Sequence, residues 1–214
     1  MSANLLPPEL VALARRVIDE NRIAGRRISV AESCTGGLVS AALTEIPGSS
    51  DVFDAGFVTY SDQAKTALLG VATDVIETFG AVSLATAWAM AHGAVARSGS
   101  DAAVAITGIA GPSGGSDRKP VGTVVFAFAK AGDDPEDAVT DQKDFGDLGR
   151  GGIRLQAALC ALELLLPAAV TKRISGAEAI ASRMAPFSRS KNSRAIALRS
   201  STVLPRLQSS SSRS

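Results

Sequence analysis

Three short segments hold the residue types most able to do chemistry: AESCTGG at 31–37, VTYSDQAK at 58–65 and AITGIAGPSGG at 105–115. Ser33 leaves an apolar stretch and precedes a glycine pair, where its hydroxyl would lie near the free N–H groups of a helix start, a place that can stabilise an anion. A serine becomes a nucleophile only if a base takes its proton. His92 is the only histidine, and its neighbours WAMAHGAVA read as a helix packed on a core, so a Ser-His-Asp triad and an HExxH site are set aside. Lys65 is the remaining candidate base. It must then be desolvated, or placed near other cations, so that it is neutral near working pH; Ala64, Ala67, Leu68 and Leu69 supply apolar surroundings. Tyr60, the only tyrosine, stands five residues earlier, and its hydroxyl could bridge serine and lysine or orient a substrate.

Each residue also has a plain structural role open to it. Ser33 or Thr35 could be a helix N-cap, Lys65 a solvated surface lysine, and Tyr60 a strand aromatic with a satisfied hydroxyl. Cys34 is a rival nucleophile, because a helix N-terminus lowers a cysteine pKa. Adjacent residues at a strand end point in different directions, so only one of the pair is expected to face a pocket. The third segment has the glycine content of a loop that lets backbone approach a phosphate closely. It lacks both GxxxxGK[ST] and GxGxxG, which argues against an NTPase or a dehydrogenase. Glycine-rich turns also arise for purely geometric reasons.

The elements that must position these segments alternate between helix and strand, the pattern of an α/β fold with helices covering a largely buried sheet. Helices are expected over 8–23, 36–46, 62–69, 84–97 and 152–166, and strands over 27–31, 54–60, 102–107, 121–129 and 139–145. The first helix carries Leu10, Leu13, Val17, Ile18 and Ile23 on one face and opens at Pro7-Pro8. All three candidate segments then fall at carboxyl ends of strands, where α/β proteins usually place their sites.

The chain has 214 residues, 46% hydrophobic and 20% charged, which fits a single globular domain over 1–169. Its apolar runs fall far short of the roughly 20 residues that cross a bilayer, and no basic region precedes a long apolar stretch at the N-terminus. We expect a cytoplasmic protein without membrane contact. Cys34 and Cys160 are the only cysteines, so neither a disulfide framework nor a structural metal site is expected. Residues 1–169 hold 13 Lys and Arg against 20 Asp and Glu, whereas 170–214 hold 9 against 1 together with 12 serines. This basic, serine-rich tail is expected to be disordered. With Phe187 its only aromatic, it gives little ground for nucleic-acid binding.

The three segments, with PGSS at 47–50, LLGV at 68–71, GAVS at 80–83 and KPVGTV at 119–124, resemble the C-terminal domain of the competence and damage inducible CinA family over about 10–166. The resemblance implies a three-layer α/β/α sandwich around a mixed or largely parallel sheet. It further implies an amidohydrolase that converts nicotinamide mononucleotide to nicotinate mononucleotide and ammonia, with a pyridine nucleotide as small-molecule partner and no metal or organic cofactor. Ser33 matches the family nucleophile, Lys65 the general base and Tyr60 the assisting hydroxyl.

Ser50, Thr107, Gly108 and Gly111 match the family's nucleotide-binding loops. Arg150 and Arg154 resemble the arginines of its GDRxxVR motif, although this chain reads GDLGRGGIR. Thr35, Gly36 and Gly37 join the substrate-binding set, since backbone N–H groups from Cys34 to Gly37 could hold the oxyanion. A homo-oligomer is expected. Longer CinA proteins add an N-terminal pyrophosphatase-like domain, so a stand-alone deamidase is the simpler expectation here. The competing class is a non-catalytic nucleotide-sensing or competence-associated binding protein.

Overall fold

Proline at a helix start gives up an N–H that has no partner there anyway, and Pro8 opens α1 (Pro8–Ile23) in this way. The buried side of α1, Leu10, Val11, Ala14, Val17, Ile18 and Asn21, recurs at three- and four-residue spacing. Ile23, expected on that face, instead stands exposed at the helix end. The computed structural model describes residues 5–134 and 139–167; the tail over 170–214 lies outside the described residues.

Five strands form one sheet in the order β2-β1-β3-β4-β5: β1 (Ile28–Glu32), β2 (Phe53–Val58), β3 (Ala102–Gly108), β4 (Thr123–Lys130) and β5 (Val139–Asp144). β1 runs parallel to both β2 and β3, while β4 is antiparallel to β3 and β5. The sheet is therefore mixed. The three central strands are buried almost throughout, whereas the edge strands β2 and β5 are only partly covered, as expected when both faces of a sheet carry helices.

Strand alternation sorts the core into two layers. Val30, Val104 and Phe126 face α1, α2 (Leu38–Thr44) and α6 (Gly149–Leu165). Ala31, Ala103, Ala105, Val125 and Ala127 face the other layer, α3 (Asp62–Leu69), α4 (Thr73–Phe79) and α5 (Leu84–Ser98). The small side chains on this second face let the alanine-rich α5 lie close to the sheet. The result is a three-layer α/β/α sandwich.

Several boundaries differ from the sequence reading, for local reasons. α2 begins at Leu38 rather than Gly36, because Gly36 and Gly37 adopt left-handed φ values of +60° and +92° and form a turn. β4 begins at Thr123 because Gly122, at φ +102°, still belongs to the turn before it. α6 starts three residues early, at Gly149, through a glycine-rich stretch of poor helix propensity. α4 was not expected at all; it has seven residues and buries only Ile76, too little for a periodic signal. Among the described residues no helix is long and apolar enough to cross a membrane.

α5 lies tight against α3 at Gly93, where a Cβ would stand 2.1 Å from the Leu69 carbonyl oxygen at the end of α3. The obstacle is backbone, so a side chain there must push α3 away. Gly93→Ala should lower stability by about 2 kcal/mol, measured as a fall in the urea unfolding midpoint at unchanged m-value.

Candidate active site

The carboxyl ends of β1, β2 and β3 lie level, with Glu32 paired to Val58 on one side and Ile106 on the other. The ladder continues one residue further. Thr59 N–H donates to the Glu32 carbonyl at 2.7 Å, and Ser33 N–H donates to the Ile106 carbonyl at 2.9 Å. Alternation carried past the strand end sends Glu32 toward the α2 layer, as it does Val30, and Ser33 toward the α3 layer, as it does Ala31.

Glu32 is fully buried, an expensive position for a carboxylate unless its oxygens are saturated with donors. It accepts backbone N–H groups from Gly37 at 3.0 Å, Val39 at 3.2 Å and Ser40 at 2.9 Å, and the Ser40 hydroxyl at 2.7 Å. Gly37, at the N-cap, has no side chain to offer. The strand thus caps the helix that follows it, and negative charge meets the positive end of the α2 dipole.

Lys65 approaches from α3, whose first turn is capped by Ser61 through its hydroxyl. The side chain is 1% exposed. Its ammonium donates to the Thr59 carbonyl at 3.1 Å and lies 3.6 Å from an Asp62 oxygen. Burial pulls the Lys65 pKa below the usual lysine range, and the Asp62 carboxylate opposes that shift without cancelling it. Thr59 is therefore a joint, with its N–H on the strand that leads into Ser33 and its carbonyl on the lysine.

Ser33, Tyr60, Lys65, Thr107, Gly108, Gly111 and Arg150 line one cavity of about 340 Å³, together with Cys34, Asp62 and the segment Ala81–Val82. Arg150 Nη1 donates to the Gly111 carbonyl and Nη2 to the Tyr60 hydroxyl, each at 2.8 Å, which ties α6 to the loops after β3 and β2. The guanidinium thus reaches the cavity despite the changed spacing before it. The Thr107 hydroxyl donates to the Ala81 carbonyl at 2.8 Å, and Lys119 Nζ donates to the Val82 carbonyl at 2.7 Å. These bonds fix the cavity wall ahead of α5.

Other sequence-predicted residues lie elsewhere. Thr35, Gly36, Gly37 and Arg154 sit behind the cavity, where Arg154 Nη2 donates to the Thr35 carbonyl at 2.7 Å and braces the turn. Ser50 occupies the 3-10 turn Ser49–Asp51, which leads into the amino end of β2. That is the end of the sheet opposite the cavity. Tyr60 is 60% exposed, and its hydroxyl accepts from Arg150 rather than bridging Ser33 and Lys65. His92 packs against Trp88 with ring centroids 4.3 Å apart and the planes tilted by 48°, and does not line the cavity.

Two expectations about the Ser33 turn need correction. Ser33 and Cys34 both line the cavity, so direction alone does not separate them. The Cys34 thiol is not lowered by a helix N-terminus; burial pushes it up to about 12, and the N–H groups that begin α2 are held by Glu32. Nor do all four N–H groups from Cys34 to Gly37 remain for an oxyanion. Gly36 N–H donates to the Ser33 carbonyl at 3.1 Å and Gly37 N–H to Glu32, which leaves those of Cys34 and Thr35, both of which point at the Cys34 sulfur. Gly108, which ends β3, and Gly111 in the loop after it also have a packing reason: a Cβ on Gly108 would lie 2.8 Å from a Val124 methyl, and one on Gly111 2.6 Å from a Val121 methyl.

Sequence reasoning passed over Glu32 and Asp62. For Glu32 the available signal was an acid at a strand end just ahead of a glycine pair that cannot cap its own helix. Among the described residues no three His, Cys, Asp or Glu side chains group closely enough to hold a metal ion.

The family model for the CinA C-terminal domain matches residues 10–169. This chain belongs to the CinA C-terminal domain family. Nicotinamide-nucleotide amidohydrolase PncC of Escherichia coli strain K12 is 45% identical to it over 158 residues, covering 73% of this chain and 93% of that protein. A putative competence-damage inducible protein of Symbiobacterium thermophilum is 50% identical over 147 residues, covering 66% of this chain but 34% of that protein. The chain therefore spans about a third of the longer relatives it matches. The crystal structure of the competence/damage inducible protein CihA from Agrobacterium tumefaciens superposes with a TM-score of 0.72 at 51% identity, covering 77% of this chain and 97% of that one. The mixed sheet described above is thus that of a CinA C-terminal domain.

Removal of the Glu32 carboxylate orphans the first N–H groups of α2 inside the core. Glu32→Ala should destabilise the CinA domain by about 3 kcal/mol, read from urea unfolding followed by circular dichroism.

Proposed function

We propose that this chain hydrolyses the carboxamide of nicotinamide mononucleotide to nicotinate mononucleotide and ammonia through a Ser33 acyl-enzyme. The observation that carries the reading is a buried lysine lining the same cavity as a strand-end serine. The 45% identity to a nicotinamide-nucleotide amidohydrolase, over most of that protein's length, supports the choice of substrate.

Ser33 attacks the amide carbon as Lys65, uncharged, accepts its proton. The N–H group of Cys34, which unlike Thr35 lines the cavity, receives the oxyanion, a contribution of about 3 kcal/mol. The tetrahedral intermediate collapses, the C–N bond breaks, and the proton on Lys65 leaves with the ammonia. Water, deprotonated by the same lysine, then opens the ester and regenerates the serine. Arg150 and the glycine loop at 107–115 hold the phosphate and ribose. Cys34 serves poorly as nucleophile, since its thiol stays protonated at working pH.

Ammonia release by the purified protein, assayed with the mononucleotide and compared with the riboside, tests the reaction. Binding of the mononucleotide without ammonia from either compound would favour a sensing role. Lys65→Arg should abolish turnover while leaving binding, because guanidinium keeps its proton at any working pH. Ser33→Ala should do the same, and Cys34→Ala should retain turnover; the reverse pattern for these two would make the cysteine the nucleophile.

The pH dependence has a definite sign. Burial lowers the Lys65 pKa and outweighs the facing groups that favour its charged form, the Asp62 carboxylate on α3 and, only at a pH high enough to ionise it, the Cys34 thiol on the turn after β1. Turnover should rise with pH to a midpoint below the roughly 10.4 of a free lysine. Stability should shift in the same direction. The fold disfavours the charged amine, so the cost of burying it fades as pH climbs from the depressed pKa toward the free value.

A further inference from the structure

Asp62 supplies the only carboxylate among the described residues lining the cavity, where it shares the space with two cations, Lys65 and Arg150. It is about half exposed, its oxygen lies 3.6 Å from the Lys65 ammonium, and the structure gives it no backbone donor to cap, unlike Glu32. The proposed reaction leaves this acid without a stated task.

Geometry supplies one. The base must come within hydrogen-bond reach of the Ser33 hydroxyl, and that hydroxyl must meet the amide carbon at roughly 3 Å. The ring bearing the carboxamide therefore lies beside the lysine, close to the carboxylate next to it. Nicotinamide substituted at its ring nitrogen is a pyridinium with a full positive charge. Such a ring repels an ammonium and favours the uncharged lysine that the reaction needs. Once Lys65 has given its proton to solvent, Asp62 has lost its cation, and the ring replaces it. One positive charge is exchanged for another beside the same carboxylate.

Resting on the reading under Proposed function, we propose that Asp62 is a specificity-determining residue that makes the site select a positively charged, N-substituted nicotinamide ring over its uncharged dihydro form. The selection is electrostatic. It is separate from the contacts that Arg150 and the glycine loop make with phosphate and ribose, which the two ring forms share.

The test compares oxidised and reduced nicotinamide mononucleotide in the parent and in Asp62→Asn, which keeps the shape and removes the charge. The two rings differ in intrinsic reactivity, so the decisive quantity is the change in preference on substitution. Because loss of the Asp62 charge also shifts Lys65 for both substrates, the reduced nucleotide is the reference: Asp62→Asn should lose about tenfold in kcat/KM on the oxidised nucleotide relative to its change on the reduced one. Parallel losses on both, or an unchanged preference, would overturn the proposal. The same comparison by titration calorimetry, in Ser33→Ala with and without Asp62→Asn, reads ring preference without turnover. If the parent releases no ammonia from the oxidised nucleotide, the amidohydrolase reading fails by itself. The calorimetric preference then decides on Asp62: a preference for the charged ring that disappears with Asp62→Asn supports it, and any other result removes it.

Discussion

A carboxylate buried at the end of the first strand can persist only if every oxygen is saturated, and Glu32 meets this condition by taking the opening N–H groups of the helix that follows. The side chain of Glu32 is thereby committed to the α2 layer. Because strand residues alternate, its neighbour Ser33 is turned toward the opposite layer, where α3 presents Lys65. One ionic cap thus closes a helix and aims a hydroxyl at the same time. It also removes the dipole end of α2 from ligand chemistry, which leaves one cavity-lining backbone donor, that of Cys34, beside the serine instead of a full helix terminus.

Lys65 lies on the unfavourable side of the same balance. A fully buried ammonium with one carbonyl and a half-exposed carboxylate for company is destabilised relative to water, and the shift in its pKa is the measure of that. The surrounding packing must absorb the cost. The alanine floor beneath α5 and the contact between Gly93 and Leu69 are what allow α3 to be pressed inward far enough for its fourth residue to be covered. Packing between α3 and α5 at the end of α3 remote from the cavity therefore governs the protonation of the group in the cavity.

Much of this architecture is legible in the chain. Central strands buried on both faces read as apolar runs, and the long helices read as periodic stripes; both kinds of element were found close to their actual ends. α4 escaped because one buried side chain makes no period. Ser33, Tyr60, Lys65, Thr107 and Arg150 could be placed near one another because each follows a strand on the same edge of the sheet or belongs to a recognisable motif. Glu32 and Asp62 could not, since their roles depend on what lies opposite them in space. Glu32 looks like an ordinary acid until the helix it caps is known to lie on its own side of the sheet, and Asp62 looks like a first-turn helix acid until the neighbouring ammonium is found to be buried. Cys34 misled for the same reason: the helix end that would have acidified it was already taken.

The brace formed by Arg150 has a consequence for ligand capture. An arginine free in solvent gives up considerable rotamer entropy when it clamps an anion, and that loss is charged against affinity. Here two of the five N–H groups are already held, one by the Gly111 carbonyl and one by the Tyr60 hydroxyl, so most of the ordering has occurred during folding. The three remaining donors still present a planar fork. A planar or tetrahedral oxyanion can dock on it without dismantling the brace, and the same bonds keep the Tyr60 and Gly111 loops at a fixed separation before any ligand arrives. The mouth of the cavity is preorganised by a residue whose own freedom was surrendered in advance.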